Sequence, residues 1–314
     1  MDIVSFFGGA ALRLTGSFLS LILAWNVPPR AGTPIRPVDA ENLRLQFTVA
    51  ADTHIVSWFS PYNDWKDLGW YKDYARLAAD LRDMGSACPR QDALVLVGDN
   101  SRFGGFADYL AFYGLLARYN RAKNTMLAIG NHDLEMGERD TTKVQDRHRA
   151  FLRAYTGVKT GKPYYSRVIN GYTFIALGDE ADYWDWQETR PCWISEAQLE
   201  WLDGTLRAGE PGRPVFVFLH QPIDDDTYAD RAGALRAVLE KYPNVFFFNG
   251  HLHTPPEVRQ AGGVTYVNVP SLTHWVDGTD VGFQAEAYDD RVVLRARSYR
   301  EGEWLEGQAY TFPT

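Results

Sequence analysis

The chain has 314 residues, of which 45% are hydrophobic and 23% are charged, a composition typical of a folded globular protein rather than a disordered one. Its formal net charge of -8 disfavours an extended nucleic-acid surface, because phosphate backbones attract clustered lysine and arginine. Cys88 and Cys192 lie far apart and form neither a CxxC pair nor a disulfide framework.

The amino-terminal residues 3–25 are mostly apolar, but Arg13 interrupts them. A membrane-spanning helix needs about 20 apolar residues, and no clean signal-peptide cleavage site precedes Pro28. Two interpretations stay open, an export or membrane-surface anchor and a segment that packs on the domain. We expect residues 1–37 to form this segment with its proline-rich linker, and residues 38–314 to form one domain. The expected location is exported or membrane-associated, with cytoplasmic as the alternative.

Short apolar stretches that run into polar turns recur along the chain, a pattern typical of strands that deliver functional loops in layered α/β proteins. The predicted strands are 43–51, 93–97, 125–129, 215–219 and 245–248. Helical spacing predicts helices at about 65–84, 106–121, 142–155, 196–208 and 230–242. Hairpins are predicted at 164–177, turning at Asn170-Gly171, and at 283–299. Helices alternating with strands, followed by a late hairpin, predict a single α/β/β/α sandwich.

Side chains that can bind metals or move protons come directly after these strands. They are Asp52 and His54, Asp99 and Asn100, Asn131-His132-Asp133, His220, and His251 with His253. Imidazole nitrogen together with carboxylate and amide oxygen suits Mn, Fe or Zn, whereas Mg and Ca prefer oxygen alone. The candidates exceed the four ligands of a structural zinc site. Their number predicts two cations about 3.5 to 4 Å apart that share a ligand and hold a hydroxide between them.

Any one of these motifs alone is more often a hydrogen-bonded structural feature than a metal site. Together they favour a site, because open α/β sheets place their ligands at the carboxyl ends of strands. In chain order they resemble the motifs of the calcineurin-like metallophosphoesterase superfamily, from about residue 43 to the carboxyl terminus. The matching runs are Asp52-x-His54, Gly98-Asp99, Gly130-Asn131-His132-Asp133, His220 and Gly250-His251-x-His253. The family fold is a four-layer α/β/β/α sandwich of two mixed sheets flanked by helices.

The resemblance implies a set of metal ligands and a general acid. Asp52, His54 and His253 would hold one divalent or trivalent ion, Asn131, His220 and His251 the other, and Asp99 would bridge them. His132 would protonate the leaving oxygen, and Asp133 would orient its imidazole. We therefore expect a phosphoesterase that cleaves a phosphomonoester or phosphodiester by in-line attack of the hydroxide. The alternatives are a membrane-surface pyrophosphatase or phospholipid-type esterase, and a non-catalytic scaffold.

The residues after Asp99 distinguish branches of the superfamily. Purple acid phosphatases carry a tyrosine three positions later, where this chain has Arg102, and the Asp-Arg-Gly run of protein Ser/Thr phosphatases is absent. The arrangement looks closer to the bacterial branch that includes class III cyclic-nucleotide phosphodiesterases. Its expected partner is a small phosphate ester such as a nucleotide, with membrane contact through residues 3–25 if they form an anchor.

Three residues are candidates for contacts with the substrate: Asn100, Arg102 and His274. The guanidinium of Arg102 suits a phosphate, although a surface ion pair explains it equally well. Aromatic-rich segments at 58–65 and 183–193 predict either a surface that stacks a nucleobase or packing of a minor core. His148, inside a charged helix, is expected to be solvated.

Overall fold

Two six-stranded sheets face each other and carry helices on their outer faces. The computed structural model describes residues 3–23, 33, 36–58, 69–88, 90–137, 140–181, 191–224, 226–273 and 280–314. This architecture confirms the predicted four-layer α/β/β/α sandwich. The expected division of the chain at residue 37 stays a prediction, and most of the expected linker lies outside the described residues.

The elements follow each other in the order that the sequence predicts, with additions. The helices are α1 (Ile3–Leu23), α2 (Gly69–Ala87), α3 (Phe106–Tyr119), α4 (Thr142–Thr156), α5 (Glu196–Arg207) and α6 (Ala232–Leu239), and a short 3₁₀ helix spans His132–Gly137. The strands are β1 (Leu45–Ala50), β2 (Ala93–Val97), β3 (Asn124–Ala128), β4 (Tyr165–Ile169), β5 (Tyr172–Ala176), β6 (Val215–Phe218), β7 (Val245–Asn249), β8 (Glu257–Ala261), β9 (Val264–Asn268), β10 (Val281–Ala287), β11 (Arg291–Ser298) and β12 (Glu303–Pro313).

Each sheet combines a parallel part with antiparallel strands at its edges. The first sheet has the order β12-β11-β10-β1-β2-β3, in which β1, β2 and β3 run parallel. The second has the order β4-β5-β6-β7-β9-β8, with β5, β6, β7 and β9 parallel. The carboxyl ends of parallel strands share one edge of their sheet, so the loops after β1, β2 and β3 lie together, as do those after β6 and β7.

A cluster of phenylalanines holds the two sheets together. The ring of Phe47 on β1 lies 4.9 Å from Phe174, 4.7 Å from Phe216 and 6.4 Å from Phe248, all on the second sheet. All four side chains are fully buried, and their edge-to-face contacts add to the free energy of apolar burial. The packing fixes how the two sets of carboxyl-terminal loops face each other.

The five predicted strands that precede polar turns are present as β1, β2, β3, β6 and β7, and both predicted hairpins are present. The sequence predicted neither the β8–β9 hairpin nor β12. Strands β8 and β12 lie at sheet edges and keep many side chains partly or fully exposed. Such strands lack the apolar run by which a buried strand is recognised.

Helix α1 packs against α3 and α4. Its residues Leu12 and Leu19 belong to the main hydrophobic core. A Cβ at Gly16 would lie 2.3 Å from the carbonyl oxygen of Gly114, so these helices approach closely. Within the described part of the chain, no helix combines the length and apolarity that crossing a bilayer requires. The predicted export or membrane association through residues 3–25 is therefore wrong, and in the described part of this segment Leu12 and Leu19 pack in the core instead.

Candidate metal centre

The loops after β1, β2, β3, β6 and β7 converge at the carboxyl-terminal edges of the two sheets and bring the predicted ligands together. Three groups of side chains have ligand atoms within 4.8 Å of one another. These groups are Asp52, His54 and His253; Asp99, His220 and His251; and His54, Asp99 and His132. The first group is the ligand set that the family resemblance implies for one metal ion. The second group contains His220 and His251, which the resemblance implies for the other ion, but it lacks Asn131.

The amide oxygen of Asn131 lies beside the second group. Its Oδ1 lies 3.0 Å from Nδ1 of His251. In the first group, Nε2 of His253 lies 3.0 Å from Oδ1 of Asp52 and 3.2 Å from Nε2 of His54. The side chains of Asp52 and His54 are fully buried, so their ring nitrogen and carboxylate oxygen atoms face one another rather than solvent.

Asp99 occupies the position between the two groups. Its Oδ2 lies 3.0 Å from Nε2 of His220 and 3.6 Å from Nε2 of His54, which belong to different groups. Burial raises the pKa of Asp99, but His220 and then His132 outweigh it and hold the pKa well below its usual value. An ionised carboxylate between two imidazole-containing groups has the geometry of a bridging ligand.

The surroundings of the His220 ring fit a metal ligand. Its Nδ1 lies 2.8 Å from the carbonyl oxygen of Val97, which can only accept a hydrogen bond. Nδ1 therefore carries the hydrogen when the ring is neutral, and Nε2 turns its lone pair toward the centre. Nε2 is buried and lies 3.0 Å from Oδ2 of Asp99. Burial lowers the pKa of His220, but Asp99 and Asp52 outweigh it and raise the pKa to about 10. A metal ion bound at this nitrogen would therefore replace a proton.

The backbone turns that carry the ligands are strained. Five of the nine described non-glycine residues with positive φ are proposed ligands: Asp52, His54, Asp99, His251 and His253. Positive φ is uncommon outside glycine and clusters at functional sites, where the surrounding structure maintains it. These turns direct side chains from separate strands toward one point.

Glycines beside the ligands permit this close approach. A Cβ at Gly130 would lie 2.1 Å from Oδ1 of Asp99. Gly98 has a φ of +81°, and a Cβ there would lie 2.5 Å from the His220 ring. The glycines of the Gly98-Asp99 and Gly130-Asn131 motifs are therefore required by packing at the centre.

Asp133 connects two loops. Its carboxylate accepts hydrogen bonds from the backbone N–H groups of Gly130, Asn100 and Ser101, at 3.0, 3.2 and 2.9 Å. Burial raises its pKa to about 6. The described contacts of Asp133 thus hold the loop after β2 against the loop after β3, rather than orienting the imidazole of His132 as the resemblance implied.

Glu135, an acidic residue that the sequence analysis missed, contacts the His132 imidazole. Oε1 of Glu135 pairs with Nδ1 of His132, and the side chain of Glu135 is 2% exposed. Burial lowers the pKa of His132, but Asp99 and Glu135 outweigh it and raise the pKa above its usual value. The three-residue spacing of the two residues, on the 3₁₀ helix, was the signal that could have identified this pair.

The candidate substrate contacts have different surroundings. Asn100 is buried, and its amide nitrogen donates to the Ala128 carbonyl at 2.8 Å and to Asp133 at 3.1 Å, so this group serves the loop itself. Arg102 is partly exposed, with Nη1 3.3 Å from Nδ1 of His132. It therefore lies beside the proposed acid. His274 lies outside the described residues.

Comparisons with known proteins agree with this geometry. A model of the calcineurin-like phosphoesterase family matches residues 45–255, more than half of the chain. A dimetal phosphatase from Danio rerio superposes with a TM-score of 0.60 at 15% sequence identity, covering 86% of this chain and 99% of its own. The purple acid phosphatase PPD1 from yellow lupin (Lupinus luteus) seeds gives a TM-score of 0.58 at 14% identity, covering 86% of this chain and 53% of its own.

At these identities the two structures show a shared fold. No curated protein sequence matches the chain. The family match carries the assignment, and it agrees with the clustered Asp and His side chains. The chain therefore belongs to the calcineurin-like phosphoesterase family, which confirms the predicted enzyme class, a phosphoric ester hydrolase.

Proposed function

We propose that this protein hydrolyses a small phosphate ester at a centre of two metal ions. The observation that carries the proposal is the position of Asp99, whose Oδ2 lies 3.6 and 3.0 Å from ring nitrogens of His54 and His220 in two ligand groups. The remaining proposed ligands are Asp52, His253, Asn131 and His251. The donor set of nitrogen and oxygen atoms favours Mn, Fe or Zn.

Two bound cations would lower the pKa of a water molecule and polarise the phosphoryl oxygens. Residues of the chain would supply the proton for the leaving group and a further contact with the phosphate. His132 lies beside the centre, its ring 4.7 Å from that of His54. In this position it protonates the ester oxygen that departs, while Glu135 holds its Nδ1. Arg102, next to the same imidazole, binds a phosphate oxygen of the substrate.

The proposed substrate is a small monoester or diester of phosphate. The dimetal phosphatase from Danio rerio supports phosphate-ester chemistry on this fold. The candidate groups converge on a single centre rather than an extended basic surface, which favours a small molecule over a polymer.

Metal reconstitution tests the proposal. The metal-free protein should hydrolyse neither p-nitrophenyl phosphate nor bis(p-nitrophenyl) phosphate, and addition of Mn, Fe or Zn should restore at least one activity. Asp99→Asn should weaken metal binding and activity together. Metal binding at this centre without hydrolysis of any ester would contradict the proposal and favour a scaffold.

His132→Ala separates acid catalysis from metal binding. The variant should retain its metal, because His132 is not a proposed ligand. It should lose about 10²- to 10⁴-fold in kcat on esters with poor leaving groups, the usual contribution of a general acid. Steady-state kinetics with phenyl phosphate, together with metal analysis, measures both effects. Full activity on phenyl phosphate would overturn the acid role.

A further inference from the structure

An exposed tyrosine lies beside the second ligand group, and an exposed tryptophan lies on the neighbouring segment. The ring of Tyr228 makes an edge-to-face contact with the ring of His251, with centroids 5.4 Å apart and planes at 72°. Tyr228 is 37% exposed and Trp193 is 46% exposed. Both are among the few large hydrophobic residues in the described chain that remain accessible to solvent.

A short backbone pairing places the segments that carry these two residues side by side. Cys192 and Ala229 form a parallel β-bridge. The N–H of Cys192 donates to the carbonyl of Tyr228 at 2.8 Å, and the N–H of Asp230 donates to the carbonyl of Cys192 at 2.7 Å. Cys192 and Ala229 point into the core. Because side chains alternate along extended backbone, their neighbours Trp193 and Tyr228 point outward.

A positive charge lies beside the same surface. The guanidinium carbon of Arg231 lies 5.8 Å from the centroid of the Trp193 ring. Arg231 has a φ of 61°, a strained conformation for a residue with a side chain. We call Trp193, Tyr228 and Arg231 together the aromatic ledge. It offers two aromatic rings and a cation, and its Tyr228 contacts the proposed metal ligand His251.

We propose that the aromatic ledge binds a planar aromatic ring attached to the phosphate of the substrate. This inference rests on the proposed function, because the ledge gains its position from the contact of Tyr228 with His251. A phosphate held at the centre presents a substituent beside Tyr228, and aromatic rings stack favourably at 4.5–7 Å. Arg231 also attracts an anionic ester. Both aryl and nucleobase esters carry the required ring.

Binding of non-hydrolysable phosphonates tests the ledge. Titration calorimetry of the Mn-loaded protein should show phenylphosphonate binding about 10-fold more tightly than methylphosphonate, within the range that stacking on an aromatic side chain provides. Tyr228→Ala and Trp193→Ala should each reduce this preference. Tyr228→Leu keeps apolar bulk without a ring and should reduce it too.

Tyr310→Ala is the matched control, since Tyr310 lies on β12 at the edge of the first sheet, whereas the ledge residues follow strands of the second sheet. This variant should retain the preference. Equal affinity of the wild type for both phosphonates, or an unchanged preference in Tyr228→Ala, overturns the ledge alone. Absence of metal-dependent binding of either phosphonate overturns the proposed function as well. A phosphonate analogue of adenosine monophosphate distinguishes the two kinds of ester. If it binds more tightly than phenylphosphonate, the ledge favours a nucleobase, and if it binds more weakly, the ledge favours a simple aryl group.

Discussion

The pairing of Glu135 with His132 gives a buried carboxylate a specific part in catalysis. Glu135→Gln keeps the shape of the side chain but removes the charge that holds Nδ1 of His132. We expect kcat to fall about 10-fold more with phenyl phosphate than with p-nitrophenyl phosphate, because only the poorer leaving group depends on protonation.

A double-variant comparison provides the control for this prediction. Added to His132→Ala, the Glu135→Gln change should have little further effect, since both act through one proton transfer. Metal content should remain that of the wild type. An equal loss of kcat with both leaving groups would show that Glu135 serves only the stability of the 3₁₀ helix.

His148 is buried rather than solvated, which corrects the sequence-based expectation. It is 2% exposed and contacts the ring of Tyr109 at 5.8 Å. Burial lowers its pKa to about 3. The unfolded chain therefore binds a proton below about pH 6.5 that the folded chain does not bind until near pH 3. The stability associated with neutral His148 is complete above pH 6.5 and is lost as the pH falls through this window.

Replacing His148 removes this pH dependence. Between pH 7 and pH 5 the titration of one such His costs about 2 kcal/mol of unfolding free energy. His148→Gln cannot titrate, so its loss of stability over this interval should be smaller than that of the wild type by about this amount. Urea denaturation of the metal-free proteins at both pH values measures the difference. Parallel pH profiles for the two proteins would rule out a neutral buried imidazole.

At the scale of the elements, the turns at strand ends matter more than the strands. Gly130→Ala would place a Cβ 2.1 Å from Oδ1 of Asp99, so the carboxylate must move. We expect metal affinity and activity to fall together while the circular dichroism spectrum stays that of the folded protein. Metal analysis after dialysis provides the measurement.

A second glycine gives the matched control. Gly204 lies in α5, and a Cβ there meets nothing within 4 Å. Gly204→Ala should retain metal and activity, and it should raise the free energy of unfolding by roughly 0.5–1 kcal/mol, because alanine favours helix. Unchanged metal binding in Gly130→Ala would show that this loop does not position Asp99.

At the scale of the whole molecule, the sequence predicted the sandwich because its strands and helices have strong local patterns. It located the ligand loops because each follows a buried strand such as β2 or β7. The packing of Phe47 against the second sheet, which fixes the distance between the loops, joins residues remote in sequence. Local pattern carries no information on that distance.

The expectations that failed have physical reasons. An apolar amino-terminal segment has the same sequence pattern whether it faces lipid or neighbouring helices. The packing of α1 on α3 and α4 distinguishes the two cases. The burial of His148 was accessible from the sequence, since Val144, His148, Phe151 and Leu152 share one face of α4 at helical spacing. The charged residues on the opposite face of α4 led to the prediction of a solvated histidine.

Anomalous diffraction from crystals of the Mn-loaded protein tests the central claim most directly. The geometry predicts two peaks about 3.5 to 4 Å apart, with the Asp99 carboxylate touching both. One ion would lie on the side of His54 and the other on the side of His220. A single peak, or two peaks of which Asp99 contacts only one, would contradict a shared dinuclear centre.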